Sequence, residues 1–177
     1  MKIEKFDNYL IQTVDAIDLL YQHKLYGQML IIMYSAIDSF GLIDSPLSNK
    51  KANGDTFKKW VAKYLLSSPK FNISSIDLWS SRCSLLHTHT SKSNLSNQKK
   101  AKEIQYFSGD RNNLYMKKIL ETAPLMGNRN NIVIIIEELV ESFLNGLIKF
   151  ESDFKLKVKS NESWMDRVKE ILSKREI

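Results

Sequence analysis

The chain has 177 residues and a mass of 20.6 kDa, enough for one domain with a buried core. Its 43% hydrophobic and 26% charged content excludes wholesale disorder. Six glycines and three prolines are too few for the many tight turns of a β-sandwich or barrel, and one cysteine, Cys83, excludes an internal disulfide framework or a Cys-rich zinc site. This usage points to long helices in a reducing, cytoplasmic compartment.

The elements follow in chain order. The start, Met1 to Asp7, is charged at nearly every second step and does not read as a signal peptide. Helical spacing of Ile3, Phe6, Leu10, Ile17 and Leu20 predicts a first helix over about 3–24, with His23 as a capping or surface residue. A second helix, about 25–43, is apolar on nearly every side and is expected to be central and buried. Its uncharged stretch, Leu25 to Ile37, is shorter than the roughly 18 residues of a membrane span, so no membrane role is expected. Asp38 lies inside this helix and needs a partner there.

A loop at 45–55 leads to a third helix, about 56–66, with Phe57, Trp60, Val61, Tyr64 and Leu65 inward. A fourth begins at Ser74 or Ser75, either of which can cap it, and runs to about 90. The stretch 91–102 reads as a polar, basic loop, and Ile104-Gln105-Tyr106-Phe107 as a short strand or one turn of helix. After Pro124 and Gly127 a long amphipathic helix is expected over about 130–157, striped by Ile132, Ile136, Val140, Phe143, Leu147, Phe150 and Phe154. A last helix covers about 162–173. The whole is expected to be an all-α antiparallel bundle in a single domain over 1–177, with core helices over 3–90 and 130–157 and an additional C-terminal helical segment.

Charge is uneven. The net charge is +6, yet between Asn49 and Lys118 fourteen basic residues meet four acidic ones, a local +10 that leaves −4 elsewhere. A basic middle suits a polyanion such as RNA. The competing reading is compositional, because the chain is rich in Lys, Asn, Ile and Ser together.

The fourth helix carries an anomaly. On a wheel of about 100° per residue, Asp77, Ser80, Ser81, Ser84 and Thr88 share one polar face. Ile76, Leu78, Trp79, Cys83, Leu85 and Leu86 fill an apolar arc opposite. Arg82 lands near the middle of that arc and His87 at its edge. An arginine keeps its charge, so here it must meet a carboxylate, a phosphate or a wet interface. Pairing with Asp38 would lock two helices, and removing one partner would cost roughly 3–5 kcal/mol. Alternatively the arc is split between core and a subunit interface, and Arg82 opens toward phosphate. Both hold together if Asp38 orients an arginine whose outer N–H groups face a ligand.

Arg82 and His87, separated by four residues late in a helix of an all-α bundle, resemble the motif of the HEPN superfamily. Tyr34-Ser35-Ala36-Ile37-Asp38-Ser39-Phe40, then Phe57 and Trp60, then Asp77-Leu78-Trp79 leading into Arg82-Cys83, add to that resemblance, which covers about 3–90 in detail. HEPN relatives are commonly dimers and often metal-independent endoribonucleases of toxin–antitoxin, phage-defence and RNA-processing systems.

The resemblance implies an endoribonuclease in which Arg82 and His87 are catalytic and Asp38 supports them, leaving 2′,3′-cyclic phosphate ends. Histidine suits proton transfer near neutrality, and the guanidinium fork matches phosphate oxygens. No metal or other cofactor is implied. Arg82 and His87 lie about 140° apart on one helix, so a homodimer with this helix at its interface is expected to complete the cleft. Lys92, Lys99, Lys100 and Lys102 are candidate RNA-phosphate contacts, or a solvated loop. His89 reads as exposed and Cys83 as a packing residue. In catalytic members a polar residue often follows the arginine, where this chain has Cys83. The alternative is a catalytically inactive dimeric module that binds RNA or a protein partner such as an antitoxin.

Overall fold

The computed structural model describes residues 2–67, 71–88, 94–98, 100–125 and 131–173. They form α1 (Lys2–Gln22), α2 (Tyr26–Asp44), α3 (Gly54–Trp60, continued by a wider π-type turn, Val61–Leu65), α4 (Ser75–Thr88), a one-turn α5 (Asn94–Asn97), β1 (Glu103–Phe107), α6 (Leu114–Thr122), a 3₁₀ turn (Ala123–Leu125), β2 (Asn131–Ile135), α7 (Ile136–Ser160) and α8 (Ser163–Ser173). The molecule is mostly helical, with one small two-stranded sheet among the described residues.

Helix α2 is the centre. Met29, Met33, Tyr34, Ile37, Phe40 and Ile43 are all fully buried. The helix is long and apolar enough to cross a membrane, yet most of it is packed inside the bundle. It is not covered all round, however: Ser35 and Ile32 are exposed and Asp38 is half-buried. Phe40 sits in an aromatic cluster with Trp60 of α3 and Phe143 and Phe150 of α7, ring centroids 5.3–6.5 Å apart. Phe6 of α1 joins through Phe150 and Phe154. Such offset and edge contacts add to the burial of large rings. Helices α2 and α3 approach so closely that a Cβ on Gly41 would sit 2.6 Å from the Thr56 carbonyl oxygen. Only glycine permits that approach.

The expected helix over 130–157 needs correction. Asn131–Ile135 is a strand, and the helix starts at Ile136. Four consecutive β-branched residues, Ile132 to Ile135, suit a pleated ladder better than a helix. They pair in parallel with β1, Glu103 opposite Asn131 and Phe107 opposite Ile135. This pairing also decides 104–107 in favour of strand. The expected 91–102 loop contains the α5 turn, with Ser96 and Ala101 buried. Helix α6 forms in a stretch for which the sequence carried no expectation.

The C-terminal helix docks through Arg167. It is buried and donates to the carbonyls of Leu42 (2.8 Å), Pro46 (3.3 Å) and Leu47 (2.8 Å) and to Ser45 Oγ (3.3 Å). These oxygens cluster where α2 ends and its last carbonyls lack helical partners, a natural seat for a cation.

Candidate functional site

Helix α4 begins with a capping box. Ser74 N donates to Asp77 Oδ2 at 2.8 Å, and Asp77 N donates back to Ser74 Oγ at 3.3 Å. Asp77 Oδ1 also accepts from Lys102 N at 2.7 Å, which ties the start of β1 to the start of α4.

The orientation of α4 inverts what its composition suggests. Asp77, Ser80, Ser81 and Ser84 are the buried residues, together with Leu78. Ile76, Trp79, Cys83, Leu85 and Leu86 are only half-buried. Small polar side chains go inward because they can satisfy themselves locally: Ser84 Oγ donates toward Ser81 O at 2.9 Å. Ser81 Oγ meets the Tyr106 hydroxyl at 2.7 Å, and Tyr106 in turn contacts the hydroxyl of Tyr34. Burial raises the Tyr34 hydroxyl well above the usual tyrosine value and pushes Tyr106 up to about 12, so both remain neutral partners at physiological pH.

Arg82 sits beside this hydroxyl chain. Its Nε and Nη2 donate to one oxygen, Asp38 Oδ2, at 2.9 and 2.6 Å. The side chains of Arg82 and Asp38 keep 19% and 16% of their exposure, so the pair lies in the wall and not in the core. The guanidinium carbon stands 5.0 Å from the Trp79 ring centroid, a cation–π contact within the usual range. The guanidinium also acts on the neighbouring Cys83 thiol through its charge and a hydrogen bond. Burial pushes the Asp38 carboxyl up from its ordinary value, opposed by the hydrogen bonds and charge of Arg82.

Asp38 and Tyr34 are one turn apart on α2, and Arg82 and Ser81 are neighbours on α4. Two polar links, Asp38 to Arg82 and Tyr34 through Tyr106 to Ser81, therefore join α2 to α4 along one seam. The Asp38–Arg82 pairing was legible in the sequence. The Tyr106 link was not, although a tyrosine on the most buried helix signals that its hydroxyl needs a partner.

The other candidate residues scatter. His87 lies in the last turn of α4, five residues beyond Arg82; its side chain is outside the description, and His89, Lys92 and Lys99 lie outside the described residues. Lys100 is exposed. Lys102 sits at the opposite end of α4 from His87, its Nζ 3.3 Å from the Asn72 carbonyl. Chain adjacency to the motif thus does not place these two lysines beside it. From Asp77 to His87 the helix rises about 15 Å, and Asp77 and Arg82 point about 140° apart around it. Lys100 and Lys102 border a cleft of about 450 Å³ with Asn72, Ile73, Ile76 and Asp77, on a different side of α4 from Arg82.

Cys83 is half-buried, and burial raises its thiol, which suits packing and not nucleophilic attack. His23 is exposed just past the end of α1. Among the described residues no group of three or more His, Cys, Asp or Glu side chains is placed to hold a metal. Comparison with protein-family models, with curated proteins and with solved structures finds no match for this chain.

Proposed function

We propose that the chain is a HEPN-like endoribonuclease that works as a homodimer across α4. Arg82 stabilises charge on the scissile phosphate, His87 moves the proton, and Asp38 holds the guanidinium. The RNA 2′-OH is the nucleophile: it attacks the adjacent phosphorus as its proton leaves, and the 5′-oxygen departs with a proton, giving a 2′,3′-cyclic phosphate end. Because Arg and His fill the charge and proton roles, the reading needs no metal. A cytoplasmic toxin–antitoxin or phage-defence setting, with an antitoxin or other protein partner, suits such an activity.

The observation that carries the reading is the posture of Arg82. Asp38 takes two of its donors on one side, and the guanidinium stays at the boundary with 19% of its exposure. That is the arrangement of an oriented, partly exposed cation that can meet phosphate. The half-buried arc of Ile76, Trp79, Cys83 and Leu86 supplies apolar surface for a second copy.

The test is digestion of RNA in excess chelator, with product ends analysed and size measured by sedimentation. Cleavage to cyclic phosphate ends, lost in Arg82→Ala and in His87→Ala with the dimer retained, is the expected result. Retained cleavage in His87→Ala removes that residue from the mechanism. A monomer with no cleavage overturns the reading.

A second reading rests on the same ion pair. If Asp38 and Arg82 serve only to lock α2 to α4, the chain is a catalytically inactive dimeric module that binds RNA or a protein partner. Wild type then cleaves nothing, and Arg82→Ala lowers stability alone.

A further inference from the structure

Far along the chain from Arg82, the turn between β1 and α6 encloses a hollow of about 200 Å³, lined by Ser108, Gly109, Asp110, Asn113, Tyr115 and Met116. The turn is braced by the first turn of α7. Ser108 Oγ donates to Glu137 Oε1 at 2.5 Å, and Gly109 N donates to Glu137 Oε2 at 3.1 Å. Arg111 Nε and Nη2 grip the two oxygens of Glu138 at 2.6 and 2.7 Å. The hollow is therefore preformed, so a ligand meets little ordering cost.

Two features look outward. Tyr115 is 73% exposed, an aromatic ring on the rim that the core does not use. Gly109 has φ of +148°, and a Cβ there would lie 3.0 Å from the Met116 methyl carbon, so glycine leaves the floor open. Met116 is buried and presents a polarisable thioether. The volume is below the roughly 300–1,000 Å³ of pockets for drug-sized ligands, which fits one planar ring system.

The polar edges choose the ring. Asp110 spends Oδ1 on Asn112 N, and Asn113 spends Oδ1 on Tyr115 N, so these lining residues keep a second carboxylate oxygen and an amide NH₂ that neither backbone contact uses. A carboxylate repels phosphate but accepts from adjacent N–H groups, and the amide donates to a carbonyl. Guanine presents that combination on its Watson–Crick edge, two N–H donors beside O6, whereas adenine reverses it. Lys118, one turn beyond Tyr115 on the same helix face, is exposed and placed for the phosphate attached to such a base. We infer that the β1–α6 hollow binds an unpaired guanine base, stacked on Tyr115 and read by Asp110 and Asn113.

The base can belong to a single strand or to a free nucleotide, and titrations of the full chain separate them. Guanosine monophosphate is expected to bind at least about tenfold more tightly than adenosine monophosphate. Tyr115→Ala should weaken it about tenfold, the scale of one lost stacking contact, while Tyr115→Phe retains it. Asp110→Asn should abolish the preference for guanine. Both residues are exposed, so melting should not change.

Oligoadenylate with and without one central guanosine gives the second arm. A guanosine-dependent gain that Lys118→Ala removes, with the mononucleotide unaffected, identifies a strand as the source; equal losses identify the free nucleotide. Equal binding of both mononucleotides, no binding of either guanosine probe, or indifference to Tyr115→Ala overturns the inference. Arg82→Ala should leave guanine binding intact, so the outcome here is independent of RNA cleavage.

Discussion

Two arginines in this molecule are held by opposite means. Arg167 of α8 is buried, and its Nη1 and Nη2 donate to four oxygens at the end of α2. Arg82 of α4 keeps some exposure, meets a single carboxylate oxygen and stacks on Trp79. The first is consumed by the fold. The second is oriented by the fold and retains capacity for something else. Burial among several backbone oxygens marks a structural cation, while partial exposure beside a single carboxylate marks a candidate functional one.

The comparison breaks most visibly at Arg167. Arg167→Met removes every donor and leaves buried carbonyls at the α2 terminus, so stability should fall by roughly 3–5 kcal/mol, read from the denaturant midpoint. Any RNA-directed activity should survive where the protein remains folded. Loss of activity at full stability would assign Arg167 a role beyond docking.

At Arg82 the expected order is reversed. Arg82→Ala should cost about 1.5–3 kcal/mol, the scale of hydrogen bonds to a charged group, because the pair is partly solvated. Cleavage should disappear altogether. A double-mutant cycle with Asp38→Asn isolates the coupling between them; additivity in both stability and activity would show that the short contact carries no energy.

The hydroxyl chain sharpens the picture through pH. Tyr106 titrates near 10.0 in an unfolded chain and at about 12 when folded. Above pH 10 the unfolded chain loses a proton that the folded protein keeps, so stability declines as pH rises from 10 toward 12 and this contribution levels off beyond. Tyr34 acts in the same direction. Tyr106→Phe should cost about 1–3 kcal/mol at neutral pH, by leaving Tyr34 and Ser81 unpartnered, and should flatten the alkaline slope. An unchanged slope, followed by denaturation at fixed pH values, would place the alkaline sensitivity elsewhere.

The inverted α4 gives a paired test whose second member is the smallest effect. Ser84→Leu forces volume into a filled seam and should cost about 1–3 kcal/mol. Leu86→Ser alters a half-buried site and should cost less than about 1 kcal/mol in the isolated chain. If α4 is the dimer interface, the same change should weaken self-association in sedimentation.

Much of the helical frame was legible because periodic apolar residues announce themselves. Phe6, Leu10 and Ile17 on α1, and Phe143, Phe150 and Phe154 on α7, lie where their spacing put them. Asp38 and Arg82 were readable as partners because a charge on an apolar helix face demands one. The strand at 131–135 escaped because its Ile run continues the helical stripe of α7, and periodicity alone does not separate a short strand from a helix turn. That Lys102 lies by Asp77 and Asn72 was not legible, because chain proximity does not fix which end of a helix a later residue meets.

The helical character, the central α2, the basic middle and the Asp38–Arg82 attraction can all be read from the residues alone, since each follows from local pattern or from one unavoidable charge. Which face of α4 turns inward depends instead on how the elements pack. A wheel ranks faces by hydrophobicity, but the space left beside β1 accepts small serines that close their own hydrogen bonds and find Tyr106. That choice turns the larger apolar side chains partly outward and leaves Arg82 at the boundary, gripped on one side and open on the other.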